Sequence, residues 1–291
     1  MKLAEPAPPD AALPACAQAG AAALAAFARA HRRLFVLTGA GVSTGSGIPD
    51  YRDADGAWKR KPPVSHQAFM GEAAVRRRYW ARSMLGWPLL AGAHPNPAHA
   101  GLARLEAAGR ITQVVTQNVD GLHQRAGSRA VLELHGSIHA VTCMACRAAS
   151  PRLELQAALE RANPDFLRLS AGAAPDGDAD LEDAHFERFT VPACTRCGGL
   201  LKPDVVFYGD GVPKARLAGA IAALEAADAV LVAGSSLMVY SGYRFCLLAR
   251  QMGKPIAAVN LGQTRADALL DFKLAAPCDT ALPALADALE R

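Results

Sequence analysis

Leu34-Phe-Val-Leu-Thr-Gly-Ala-Gly-Val-Ser-Thr-Gly-Ser-Gly-Ile-Pro-Asp-Tyr-Arg52 decides how this chain is read. Its opening, Leu34-Phe35-Val36-Leu37, is a short apolar run of the length and type of a buried strand. It runs straight into Gly39-Ala40-Gly41, where missing side chains let a backbone approach a pyrophosphate and present N–H groups at a helix start. The spacing departs from the dehydrogenase fingerprint, because Gly41 is followed by Gly45 rather than by a glycine three positions on. On this turn alone, a generic phosphate site and a dinucleotide site are equally good readings.

Outward from that turn, the chain alternates apolar runs with helical stretches. An amphipathic helix is expected over the alanine-rich residues 15–30, and a helical stretch over 66–92 that His94-Pro95-Asn96-Pro97 ends. Ala98 to Ala108 reads as a helix, Ile111 to Thr116 as a second strand and Val131 to Leu134 as a third. From about Ala140 to Lys202 this rhythm disappears, around a polar tract containing Pro175-Asp176-Gly177-Asp178. It resumes with Val205-Val206-Phe207, a helix from Lys214 to Ala227, the strand Ala229 to Ala233, a helix from Tyr243 to Met252, the strand Ile256 to Val259 and a C-terminal helix. Strands alternating with helices predict an α/β fold, a Rossmann-like parallel sheet covered on both faces.

Cys143-x-x-Cys146 and Cys194-x-x-Cys197 bracket 47 residues inside the silent stretch. Each pair has the spacing that brings two thiolates to one metal ion, and two pairs fill a tetrahedral zinc shell. With four cysteine ligands that shell is closed to a reactive water, so one structural Zn2+ is expected, contributing on the order of 10 kcal/mol to folding. The expected organisation is therefore a Rossmann-like domain of residues 15–60, 95–139 and 203–291, interrupted by a smaller body. Residues 61–94 supply its helical part and residues 140–202 its zinc-ribbon module. The active site is expected in the crevice between the two, beyond the strand C-termini.

Composition sets the outer bounds. The chain has 291 residues, half of them apolar, enough for one large domain with a satellite. Its 31 basic and 27 acidic residues leave a net charge of +4, and the basic clusters Lys59-Arg60-Lys61 and Arg76-Arg77-Arg78 read as solvated faces. Without an aromatic-plus-basic stripe, direct nucleic-acid binding is not expected. Of seven cysteines, Cys16, Cys246 and Cys278 are scattered, which argues against a disulfide framework and for a cytoplasmic setting. Met1 to Asp10 carries Glu5, Asp10 and three prolines, unlike a secretory signal or a transit peptide. Gln18, Arg29 and His31 interrupt the alanine-rich run, so no membrane partner is expected.

Further segments stand at predicted strand ends: Thr116-Gln-Asn-Val-Asp-Gly-Leu-His123, Glu133-Leu-His-Gly136, Gly234-Ser-Ser-Leu237 and Val259-Asn-Leu-Gly262. Together with the residue 39–52 turn and the cysteine pairs, in this order, they resemble the sirtuins, NAD-dependent protein deacylases. Tyr79-Trp-Ala-Arg82, Gly86-Trp-Pro88, Pro95-Asn-Pro-Ala-His99, Ala174-Pro-Asp-Gly-Asp178 and Lys202-Pro-Asp-Val-Val-Phe207 resemble the class II branch, which includes the mitochondrial sirtuin with lipoamidase and ADP-ribosyltransferase roles.

That resemblance implies NAD as co-substrate, nicotinamide as leaving group, and acyl-lysine proteins or peptides as partners. It implies His135 as the base that activates a ribose hydroxyl, a task that suits imidazole at neutral pH. Asn118, implied to be catalytic together with His135, and Asp120 match the nicotinamide pocket, and Gln117 a ribose contact. Asp50, Tyr51 and Arg52 match the loop that closes over NAD, with Tyr51 where most of the family carries phenylalanine. Gly39, Ala40, Gly41, Thr44, Gly234, Ser235, Ser236, Asn260, Leu261, Gly262 and Cys278 complete the expected cofactor contacts. Cys278 reads as a buried filler rather than a nucleophile, and His123 as structural.

Tyr79 and Arg82 fall i, i+3 on one helix, and an arginine fork beside a phenol suits an acyl group ending in carboxylate. The same residues also read as a packed helix with a solvated basic face. Three competitors remain open: a dehydrogenase that returns NADH, a zinc-ribbon binding protein without catalysis, and a mono-ADP-ribosyltransferase. Oligomeric state is not readable.

Overall fold

The structure is a computed structural model that describes residues 15–59, 63–168, 172–173, 179–180 and 186–290, with backbone alone at 15–19, 172–173 and 179–180. The N-terminal Met1 to Asp10, Arg60 to Pro62, Ala174 to Asp178 and the Cys16 side chain lie outside the described residues. In chain order the elements are α1 (Ala15–Ala30), β1 (Leu34–Thr38), α2 (His66–Gly71), α3 (Ala73–Ala91), α4 (Pro97–Ala107), β2 (Ile111–Thr116), α5 (Leu122–Arg125) and β3 (Val131–Glu133). There follow β4 (Gly136–Cys143), β5 (Ala149–Pro151), α6 (Arg152–Ala162), β6 (Gly172–Ala173), β7 (Ala179–Asp180) and β8 (Leu201–Val205). Last come α7 (Lys214–Ala226), β9 (Ala229–Ala233), α8 (Tyr240–Gln251), β10 (Ile256–Val259), β11 (Phe272–Leu274) and α9 (Cys278–Glu290).

Six strands form one parallel sheet in the order β11-β10-β9-β1-β2-β3. The central strand β1 explains why. Its residues are buried throughout, and alternation sends Leu34 and Val36 to one face and Phe35 and Leu37 to the other. The first face packs on Leu24 of α1, Leu102 of α4 and Leu282 of α9; the second packs on Leu224 of α7 and Phe245 of α8. Each such fully buried side chain stabilises the fold by about 1.5–3 kcal/mol relative to exposure. Strands after β1 grow outward one way and those from β9 the other, so the order reverses between β1 and β9, where α/β sheets open a crevice.

A second sheet is antiparallel, in the order β5-β4-β8, and packs with α3 and α6 around Tyr79, Trp80, Met84, Val141, Leu155 and Leu159. Ile48, Trp87, Leu122 and Ile138 form an apolar seam between this body and the large domain.

Four features depart from the sequence expectation. The helical stretch over 66–92 is two helices, parted at Glu72, whose backbone is extended (φ −116, ψ 116). Residues 140–202 are not without rhythm: α6 lies there, its buried face made of Leu155 and Leu159 together with Arg152 and Gln156, a polar sequence around a narrow apolar seam. Val205-Val206-Phe207 is not a strand of the parallel sheet; β8 ends at Val205 and pairs antiparallel with β4. β8 contains Pro203, which an edge strand tolerates because its outer N–H positions need no ladder partner. Finally, β11 is an edge strand of three residues, too short to leave a pattern. The domain limits expected at 139/140 and 202/203 consequently cut through β4 and β8.

Candidate active site

The parallel strands end in a cavity of about 780 Å³. On its floor the turns after β1 and β9 meet backbone to backbone. Gly41 N–H donates to the Gly234 carbonyl at 2.8 Å, and a Cβ on Gly41 would lie 2.9 Å from Gly234 Cα. Gly234 itself has φ +59, so both positions demand glycine. Gly39, Ala40, Gly41, Thr44, Ser235 and Ser236 line this floor.

Strand β2 delivers Gln117, Asn118 and Asp120. Gln117 Nε2 donates to Ser235 Oγ at 2.7 Å and to the Thr38 carbonyl at 3.2 Å, tying three strand ends together. Asn118 Nδ2 donates to the Gly39 carbonyl at 3.1 Å and to Ser43 Oγ at 3.0 Å. Both amide hydrogens are thus used, and the side-chain oxygen remains as the acceptor. Ser43 Oγ in turn donates to Asp120 Oδ2 at 2.7 Å, while Leu122 N–H donates to Oδ1 at 2.9 Å. Burial raises the Asp120 pKa and these donors oppose the rise.

Behind this network lie His99 and His123, their rings tilted at 60° with centroids 4.9 Å apart. Burial lowers their pKa values to about 3 and about 4, so both are neutral near pH 7. His123 bonds Thr38 Oγ1 at 2.9 Å in the interior, the structural place expected for it.

His135 stands between β3 and β4 at the cavity wall. Its Nδ1 lies 3.0 Å from the Gln117 carbonyl and its Nε2 2.7 Å from Ser241 Oγ. A carbonyl can only accept, so Nδ1 carries the hydrogen of the neutral ring and Nε2 carries the lone pair. Ser241 therefore donates to Nε2. Burial pushes the His135 pKa down to about 4, with the Gln117 carbonyl opposing and the Arg216 charge adding to the fall. A neutral imidazole with an unprotonated nitrogen at a cavity wall can accept a proton at neutral pH.

The rim comes from two loops. Asp50 pairs with Lys59 at 2.5 Å, and Arg52 donates to the Gly56 carbonyl at 2.7 Å while stacking on Trp58. Tyr51 approaches the edge of Trp58, with ring centroids 6.3 Å apart. Gln263 N–H donates to the Ala54 carbonyl at 2.8 Å, fastening this loop to Asn260, Leu261 and Gly262. Cys278 lines the far end but is buried, with its thiol on the Val259 carbonyl and its pKa raised to about 12. Such a thiol is a filler.

Tyr79 belongs to the cavity wall, packed against Phe69 and Phe207 with ring centroids 5.3 Å away in each case. Arg82 is half-buried on the next turn and is not among the residues that line the cavity. The site thus gathers every expected cofactor contact and Tyr79 but not Arg82. Sequence reading missed Ser43, which lies within the decisive stretch, and Ser241, which carries no signal at all.

The four cysteine Sγ atoms of Cys143, Cys146, Cys194 and Cys197 cluster apart from this cavity, all within 4.8 Å of one another. Cys143 and Cys197 approach to 3.5 Å and Cys146 and Cys194 to 3.8 Å. Tetrahedral zinc with Zn–S near 2.3 Å requires edges of about 3.8 Å, so the cluster fits that ion. Backbone N–H groups of Cys146 and Ala145 lower the Cys143 pKa to about 6, while, against the Gly199 N–H, the neighbouring thiols push Cys197 up to about 11, a crowding of sulfurs that a bound cation would relieve.

Residues 39–241 match the Sir2 family. The chain belongs to the Sir2 family, the sirtuins. An NAD-dependent protein deacetylase of Bordetella bronchiseptica is 60% identical over 260 residues, covering 89% of this chain and 95% of that protein. NAD-dependent protein deacetylase 2 of Bradyrhizobium diazoefficiens is 60% identical over 256 residues, 88% of this sirtuin and 94% of that one. A Sir2 homologue solved in complex with NAD superposes with a TM-score of 0.71 at 30% identity, over 92% of this sirtuin and 93% of that chain. A Sir2 solved with 2'-O-acetyl-ADP-ribose, deacetylated p53 peptide and an inhibitor gives a TM-score of 0.70 at 30% identity, over 90% and 95% of the two chains. Among the described residues of this sirtuin, no helix is long and apolar enough to cross a membrane.

Proposed function

We propose that this sirtuin is an NAD-dependent protein lysine deacetylase acting in the cytoplasm on acetyl-lysine proteins or peptides. One observation carries the proposal: a neutral His135, with Nδ1–H on the Gln117 carbonyl and its basic Nε2 on the Ser241 hydroxyl, stands in the wall of the strand-end cavity in a chain of the Sir2 family. NAD, when bound, supplies the ribose carbon that receives the acyl oxygen as nicotinamide departs.

Every other role falls to the protein. Asn118, held by the Gly39 carbonyl and Ser43, would orient a carboxamide, and Asp120 would accept from it. Gln117 and the turns at Gly39–Gly41 and Gly234–Ser236 would hold ribose and phosphates by close backbone approach. Asp50, Tyr51 and Arg52 would cover the site from the rim, and Asn260, Leu261, Gly262 and the Cys278 backbone would bound the adenosine end. His135 would take a ribose hydroxyl proton on Nε2, which its depressed pKa keeps available at neutral pH. Four thiolates would hold one structural zinc, which supports the small antiparallel sheet rather than the reaction.

The class II matches, chiefly Tyr79 to Arg82 and Lys202 to Phe207, support a place in that branch. Tyr79 on the wall with Arg82 outside it favours an acyl group without a terminal carboxylate. The test is incubation with NAD and acetyl-, succinyl- and lipoyl-lysine peptides. Nicotinamide and deacetylated peptide should form in equal amounts without absorbance growth at 340 nm. NADH formation would mean a dehydrogenase, and labelling of a protein by biotinylated NAD without peptide turnover would mean ADP-ribosyl transfer.

A further inference from the structure

We infer that Ser241 is a positioning residue for His135, holding the imidazole by its basic nitrogen and stabilising the ring once it is protonated. The inference rests on the deacetylase reading for its catalytic consequence, but not for the contact itself.

Two elements grip the ring from opposite sides. The Gln117 carbonyl at the end of β2 fixes Nδ1 at 3.0 Å, and Ser241 in the first turn of α8 reaches Nε2 at 2.7 Å. The first turn of α8 can come this close because residue 242 is glycine. A Cβ there would lie 2.5 Å from Gln117 Oε1 and crowd the amide that ties Ser235 to Thr38. Ser241 is thus registered against the same residue whose carbonyl sets the tautomer.

A hydroxyl serves both states of the ring. Toward neutral His135, Ser241 donates; toward imidazolium, it turns and accepts from Nε2–H. In the step, Ser241 turns its hydrogen away and frees the Nε2 lone pair, the ribose hydroxyl proton passes to Nε2, the O–H electron pair stays on the ribose oxygen, the ring gains one positive charge, and Ser241 keeps its own proton. The accepted bond is charge-assisted and stronger than the donated one, so the pair favours protonation relative to a ring facing apolar surface. That help matters in a site where burial and Arg216 both resist a positive ring. Arg216 of α7 is itself paired with Asp204 of β8 at 2.7 Å, and Ser241 adds no charge of its own.

Histidine side-chain ¹⁵N NMR on the ligand-free full chain, with Ser241→Ala and Ser241→Thr, tests the contact without substrate. The wild type should show hydrogen on Nδ1, and Ser241→Ala should titrate at lower pH with an unchanged melting temperature. Turnover tests the consequence. Ser241→Ala should lose tenfold or more in deacetylation, far more than in NAD–nicotinamide exchange, and its acid limb should shift as the ring titration does. Ser241→Thr, with its hydroxyl on the same carbon, should recover at least a third of the rate. An unmoved His135 titration in Ser241→Ala, equal losses in exchange and deacetylation, or threonine no better than alanine would each overturn the inference. A wild type that titrates as described but consumes no NAD would overturn the deacetylase reading and leave the contact standing.

Discussion

His135 owes its chemistry to its two partners and to burial. Because its pKa lies near 4 rather than 6.5, the acid limb of kcat/KM should fall well below the ordinary histidine range. His135→Ala should cost about 10²–10⁴-fold in deacetylation while NAD still binds, by fluorescence or calorimetry. If NAD affinity collapsed with the rate, His135 would be part of the binding floor. On the acyl side, Arg82→Ala should change acetyl and succinyl turnover by similar factors, since Arg82 does not line the cavity. A selective loss of succinyl turnover would restore the carboxylate reading. The strand-end residues were legible because each sits in a short segment whose order along the chain is itself the signal. Ser241 was not legible: its partner is 106 residues away, and serine near a helix start is ordinary.

At the scale of elements, the passage from β3 to β4 holds the most crowded glycine among the described residues. Gly136 has φ +83, and a Cβ there would lie 1.9 Å from the Asp204 carbonyl oxygen. Gly136→Ala should destabilise by about 2–4 kcal/mol, since backbone must move at a position that strains any side chain; denaturant melts would show it, and activity should fall with it because His135 is the neighbour. Five of the six parallel strands were legible as short apolar runs, and the three-residue edge strand β11 was not. The antiparallel ones were not: β4 alternates, β8 hides behind Pro203, and α6 buries only a narrow seam. Composition alone could locate that body but could not draw it.

For the molecule as a whole, two stresses should act differently. Chelation should melt the small body first, because its cysteine cluster brings together segments 48 and 54 residues apart in sequence. Metal analysis should give one zinc per chain, and its removal should abolish deacetylation until zinc is restored; full activity in metal-free protein would contradict a structural role. Acid should act on the large domain. His99, His123 and His135 have folded pKa values of about 3, 4 and 4, below the unfolded value of 6.5. The stability they support is therefore complete above pH 6.5 and drains as pH falls from there toward 3, the unfolded chain binding up to three more protons. Urea midpoints measured between pH 7 and pH 4.5 should fall along that slope.

The chain crosses between the two bodies beside His135 twice: outward at Gly136, and back at Val206, whose N–H donates to the His135 carbonyl at 2.8 Å. A body that rocks about its attachment moves least at the pivot. Were the small sheet to swing during a catalytic cycle, the walls carrying Tyr79 would sweep through space while the imidazole stayed almost still. A swing about these two crossings would change the aperture for a protein substrate more than the alignment of the group that takes the proton.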